Sequence, residues 1–152
     1  MLVFETATFP GDPLIEESQR AALESPHISI ATDSILLGYG LPSHLFYDCF
    51  PKFLSENCIR RPRLTLAEGI RKCTSLPAAQ LGLERRGLLR PNYAADLVLL
   101  DPMRLASHST TSDPRHFPSG IDCVVVNGQV LLDENGFHPA RKPGRILRRG
   151  QA

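Results

Sequence analysis

The sequence lacks a charge imbalance, a long apolar run and a paired-cysteine motif, and each absence excludes a class of protein. Seventeen basic residues face 16 acidic ones, for a formal net charge of +1. A dedicated nucleic-acid binder is usually clearly basic, so no nucleic-acid partner is expected. No apolar stretch approaches the ~20 residues that a membrane-spanning helix requires, so no membrane association is expected either. Met1 to Phe4 is apolar but short, Glu5 follows at once, and no basic residue precedes it, which is not the pattern of an export leader. The cysteines, Cys49, Cys58, Cys73 and Cys123, form no C-x-x-C pair, so neither a zinc ribbon nor a redox motif is written here. Reduced thiols and a cytoplasmic setting are the expectation. There is also no G-x-S-x-G nucleophile elbow, and neighbouring residues such as Ser43, His44 and Asp48 do not make a triad. The 152 residues are enough for one core but too few for a complete (β/α)8 barrel of ~250 residues.

What is present reads first as helices and a strand. Asp12-Pro13 opens a helix, with Asp12 as the cap and Pro13 at the first helical position, and Pro26 ends it. His27 to Asp33 is expected as a short strand. Its Ile28 and Ile30 alternate with Ser29 and Ala31, so both faces are apolar or small, as in a buried parallel strand. Asp33 would end that strand at its C-terminal edge, where α/β folds place their chemistry. A loop from Ser34 to Cys49 leads to a helix start at Phe50-Pro51. Thr65 to Glu68 spells a capping box, with Leu66, Ile70 and Cys73 as the expected buried stripe of its helix. A short helical turn from Pro77 to Leu81 is closed by Gly82.

Beyond about Gly87 the period becomes alternating. Ala94 to Asp101 reads as a strand, followed by a polar loop to Gly120. Ile121 to Leu132 reads as a hairpin turning at Asn127-Gly128, because both central residues of a tight hairpin turn need positive φ. Asp122, Asp133 and His138 around it are expected to face solvent, as are His108 and His116 in the polar loop.

Several of these segments resemble one family. Leu64 to Ala78 is similar to a last barrel helix with a T-S-x-P-A ending. Gly82-Leu83, Arg86-Gly87, Arg90-Pro91 and Ala94-Ala95-Asp96-Leu97-Val98 resemble a G-L…R-G…R-P-G…A-D-L-V signature. Asp101-Pro102, Phe117 to Ile121, Val126-Asn127-Gly128, Pro143-Gly144-Arg145 and Leu147-Arg148-Arg149 complete the pattern. The family is that of the N-acyl-D-amino-acid deacylases (D-aminoacylases) in the metal-dependent amidohydrolase superfamily, and the likeness runs from about residue 27 to 149. There are departures: Ala31-Thr32-Asp33-Ser34 stands for G-S-D-G, His44-Leu45-Phe46 for H-P-R, and Pro91-Asn92 for Pro-Gly.

The resemblance implies an α/β fold: the C-terminal fragment of a metal-dependent (β/α)8 barrel, residues 1–86, followed by part of a small β-sandwich domain, residues 87–152. It implies hydrolysis of the amide of N-acyl-D-amino acids by a zinc-activated water, with this piece inactive alone. Asp33 would be the catalytic acid/base and a metal ligand, and Ser34 and His44 would contact substrate. The family's other ligands, including an H-x-H, are absent from this chain. Such a piece would expose barrel and β edge strands, which invites self-association. The alternatives are a non-catalytic remnant or an interaction module built on the hairpin and basic tail, and another amide or cyclic-amide hydrolase of the same superfamily.

Overall fold

The computed structural model describes residues 11–32, 34 and 40–148, with helices first and an antiparallel sheet after them. Helix α1 spans Pro13–Glu24. Its Asp12 cap accepts from the Leu14 amide at 2.9 Å, the role its position implies.

The segment after α1 departs from expectation. Residues 27–32 form no strand, and Asp33 lies outside the described residues. A parallel strand needs a neighbour to complete its ladder, and no described strand pairs with this segment. Its carbonyls are instead held by side chains of the later helices. Lys72 Nζ donates to the Ser25 carbonyl and, at 2.9 Å, to that of Ile28. Arg71 donates to the Pro26 carbonyl at 2.6 Å and Gln80 to the His27 carbonyl at 2.7 Å. The Ile30 amide closes the clamp on the Lys72 carbonyl at 3.1 Å. Four successive carbonyls thus find donors without a sheet, as buried backbone groups require.

Helix α2, Leu45–Leu54, begins five residues before the expected start at Phe50, because Ser43 caps a first turn by accepting from the Leu45 amide. It is broken at Asp48, whose φ of −149° and ψ of 21° are not helical. The break has a physical cause: Pro51 has no amide hydrogen, and in an unbroken helix its ring would strike the Tyr47 carbonyl. A π-helical segment, Ser55–Arg60, extends α2. Helix α3, Leu66–Cys73, starts at Thr65, whose hydroxyl accepts from the Glu68 amide at 3.2 Å. The other half of the capping box is not made, because Glu68 is drawn to Arg71 at 2.8 Å. Of the expected stripe, Leu66 and Cys73 pack against the core, but Ile70 is 41% exposed, and Gly69 and Lys72 are the most buried positions. Gly69 lies so close to Cys58 that an added Cβ would overlap its Sγ, so this face has room for α3 only without a side chain. Helix α4, Ser75–Leu81, carries Pro77 in its first turn and ends at Gly82 in the left-handed region.

The sheet has the order β1-β2-β3-β4. Strands β1 (Leu97–Leu100), β2 (Ile121–Val126), β3 (Gln129–Asp133) and β4 (Gly136–Phe137) are all antiparallel to their neighbours. The expected hairpin is present, with Val126 opposite Gln129 and φ of 45° and 79° at Asn127 and Gly128. Strand β4 was not foreseen. It brings His138 within 3.0 Å of Asp133, so these two are half-buried partners rather than solvent-facing groups. Asp122 is exposed, as expected, and there pairs with Arg104 at 2.7 Å. Three of the signature motifs meet physically: Asp96 accepts from the Asn127 amide at 2.8 Å and pairs with Arg86, which reaches Asn127 Oδ1 at 3.1 Å. Gly120, at φ 80°, packs so that a Cβ would lie 2.5 Å from the Leu105 nitrogen, which explains a glycine after Phe117-Pro118-Ser119.

Helices and sheet share one core. Phe53, Leu54 and Cys58 bury with Leu105, and Leu23, Ile30, Leu64, Leu100 and Ile121 pack around them. Beside it, Asp48 is 1% exposed. Its Oδ2 accepts from the Ser107 hydroxyl and from the Ser109 amide at 3.2 Å, tying the break in α2 to the loop after β1. Burial pushes the Asp48 carboxyl upward, but the Ser107 and Ser109 hydrogen bonds and nearby Lys52 outweigh it and hold the acid below its ordinary value. Replacing Asp48 with alanine strands both donors. We expect Asp48→Ala to lose about 2–4 kcal/mol in urea unfolding, since hydrogen bonds to charged groups contribute roughly 1.5–3 kcal/mol each. Because the folded value is depressed, the stabilisation is full above the unfolded carboxylate range and is lost as pH falls through the folded value. The stability difference between native and D48A protein should therefore shrink on acidification below about pH 4, measured by unfolding across pH.

Candidate functional site

The residues singled out in the sequence fall at the junction between the clamped segment and α2. Asp33, the expected acid/base and metal ligand, lies outside the described residues. Ser34 is half-buried and donates to the Thr32 carbonyl at 3.4 Å, a local turn contact. His44 sits immediately before α2, and its carbonyl accepts from the Ser109 hydroxyl at 3.3 Å. His44 Nε2 lies 3.2 Å from Lys52 Nζ. The ammonium has only donors, so Nε2 must be the acceptor and the ring proton sits on Nδ1.

His44 lines a cavity of about 340 Å3 between α2 with its π-helical extension and the loop 107–111. Lys52, Glu56, Arg60 and His108 contribute the other ionisable side chains, and hydroxyls of the loop complete it; Ser34 does not line it. The structure thus does not bring Ser34 and His44 into one cavity. Ser43, His44 and Asp48 do not form a relay either: Asp48 serves Ser107 and Ser109, while His44 faces Lys52. Sequence reading missed Asp48 and the loop 107–111 as neighbours, because they are about sixty residues apart in the chain. The one available signal was an acid set among Tyr47, Cys49 and Phe50 just before a proline.

The described residues do not by themselves supply a metal site. Among the described residues, no group of three or more His, Cys, Asp or Glu side chains is placed to hold a metal ion. His116 is paired with Asp113 at 2.7 Å and His108 with Ser119 at 3.0 Å. None of the four cysteines forms a disulfide. Burial raises the Cys58 thiol, and burial followed by nearby Cys49 and Cys58 pushes Cys73 up to about 12. Cys49 and Cys58 are buried, and the raised thiols of Cys58 and Cys73 disfavour the reactive thiolate. No described helix is long and apolar enough to cross a membrane.

Comparison with known proteins places this arrangement. The chain is 44% identical over 95 residues to an N-acyl-D-aspartate deacylase of Alcaligenes xylosoxydans xylosoxydans, covering 62% of this chain and 19% of the relative. The chain therefore spans about a fifth of the length of that curated relative. Its backbone is similar to a crystal structure of D-aminoacylase, described as defining a novel subset of amidohydrolases. The TM-score is 0.81 at 30% identity, covering 88% of this chain and 28% of the other. It is also similar to N-acyl-D-glutamate deacylase from Bordetella bronchiseptica, complexed with zinc and a phosphonate mimic of the tetrahedral intermediate. That TM-score is 0.72 at 27% identity, over 90% of this chain and 27% of the other. A model of the amidohydrolase family matches residues 21–132, and with helices, hairpin and signature contacts in accord, this chain belongs to the amidohydrolase family.

Proposed function

We propose that this chain serves as the C-terminal part of a D-aminoacylase-type deacylase that hydrolyses the amide of N-acyl-D-amino acids. Residues 1–86 would complete a (β/α)8 barrel and residues 87–152 would form part of its small β domain. The observation that carries this reading is the backbone similarity to D-aminoacylase over 88% of the chain. The clamp on residues 25–30 supports it, because it fixes the approach to Asp33 with side chains of α3 and α4.

In this reading Asp33 is the acid/base. Its carboxylate takes a proton from the water whose oxygen adds to the amide carbonyl carbon. It returns that proton to the leaving nitrogen as the C–N bond breaks, giving a carboxylate and a free D-amino acid. Ser34 and His44 would border the substrate. Zinc, proposed from the family, would polarise the carbonyl and activate water. Asp33 would also be one of its ligands; the described residues supply no group of three or more candidate ligands, so the remaining ones are assigned to other parts of the protein.

The test joins the chain, in place of the matching segment, to the remainder of a D-aminoacylase. The chimera should hydrolyse N-acetyl-D-amino acids, and Asp33→Asn should lower kcat by about 10²-fold or more. The chain alone with added zinc should show no turnover. A folded, zinc-loaded chimera indifferent to Asp33→Asn would contradict the assignment. Turnover by the isolated chain, abolished by the same change, would contradict its being only a part.

A second reading, association between copies, is favoured by β1. This strand is an edge of the sheet, and its Leu97, Val98 and Leu99 are 39%, 57% and 62% exposed. Unpaired edges of this kind invite strand addition. Size-exclusion chromatography of the isolated chain should show a dimer or larger, reduced to monomer by Val98→Lys. A monomer at all concentrations would remove this reading.

A further inference from the structure

A second cavity, of about 370 Å3, lies on the sheet side of the molecule, away from His44. We infer that it is a binding site for a small oxyanion, a phosphate or carboxylate group, recognised by Arg85, Arg86 and Arg145. Three chain segments build it: the loop 85–95, the hairpin turn 127–128, and the strand of chain carrying Arg145. They are tied together by backbone and side-chain hydrogen bonds. The Ala94 amide donates to the Arg85 carbonyl at 2.9 Å, the Gly128 amide to the Ala95 carbonyl at 2.9 Å, and Asn127 Nδ2 to the Pro143 carbonyl at 2.7 Å. The last of these brings Arg145 to the cavity.

Its charge is one-sided. Three guanidinium groups line it and no acidic side chain does. Asp96 engages Arg86 from behind while also accepting from the Asn127 amide. The Arg86 side chain is 11% exposed, and its Nε–H is buried without a partner among the described residues. Its terminal nitrogens are held by Asp96 and Asn127, so it fixes a positive wall that the exposed Arg85 and Arg145 complete. The backbone is also committed to this place. The non-glycine residues with left-handed backbones among those described are Arg85 (φ 53°), Asn92 (φ 66°) and Asn127 (φ 45°), and all three line this cavity. Asparagine tolerates that region, but arginine rarely adopts it. At Asn127 the hairpin turn already accounts for it, so Arg85 is the position whose conformation points to binding. A planar guanidinium fork matches the paired oxygens of phosphate and carboxylate.

The test is calorimetric titration of the full chain with inorganic phosphate, with acetate, and with chloride at matched ionic strength. Saturable binding of phosphate or acetate, at one ion per chain and not seen with chloride, is expected. Phosphate alone would identify a phosphate site, and acetate alone a carboxylate site. Arg85→Gln and Arg145→Gln, both at exposed positions, should each weaken that binding by about tenfold while unfolding stability stays unchanged. No saturable binding tighter than about 10 mM for either ion, or binding unaltered in both variants, would overturn the proposal.

Discussion

One buried cation and one buried anion hold this molecule in register, and they are not paired with each other. Lys72 is fully buried and Asp48 nearly so. Burial of a lone charge is strongly unfavourable unless hydrogen bonds replace water. Each charge offsets this cost by taking hydrogen-bonding groups from a distant stretch of chain. Lys72 collects the Ser25 and Ile28 carbonyls, 47 and 44 residues away. Asp48 collects the Ser107 hydroxyl and the Ser109 amide, 59 and 61 residues away. The first contact seats the segment after α1 on α3, and the second seats the loop after β1 on α2. Desolvation draws the Lys72 ammonium below its ordinary value, with nearby Glu68 opposing, so its carbonyl partners are what keep the charged form tolerable.

This division explains what the sequence reveals and what it hides. The cap at Asp12, the hairpin at Asn127-Gly128 and the stop at Gly82 are local devices, in which a few adjacent residues carry the whole physical cause. They are legible without any structure. The early start of α2 was hidden because Pro51 looked like a beginning, when it is the reason for a break at Asp48. The buried face of α3 is legible at Leu66 and Cys73 but not at Lys72, which reads as a surface residue, or at Gly69, which reads as a weak helix former. Their burial follows from carbonyls and a thiol supplied by other segments.

The same logic bears on the candidate site. Residues 27–32 have the alternation of a buried strand, yet no described strand pairs with them. Lys72, Arg71 and Gln80 supply donors to four successive carbonyls in place of a ladder. Family membership was legible because its signature residues touch: Arg86, Asp96 and Asn127 form one network, so their motifs must occur together. His44 was found as a position but not as an environment, since its Lys52 and loop 107–111 neighbours arise only on folding.

The central claim is that the Lys72 clamp, rather than strand pairing, orders the segment leading to Asp33. Amide hydrogen exchange at Ile30 tests it most directly, because that amide donates to the Lys72 carbonyl within the clamp. In the native chain its protection should approach that of α3. In Lys72→Met it should fall toward that of an open loop while the amides of Phe53, Leu54 and Cys58 stay protected. Rapid exchange at Ile30 in the native chain, or equal protection in the variant, would contradict the account.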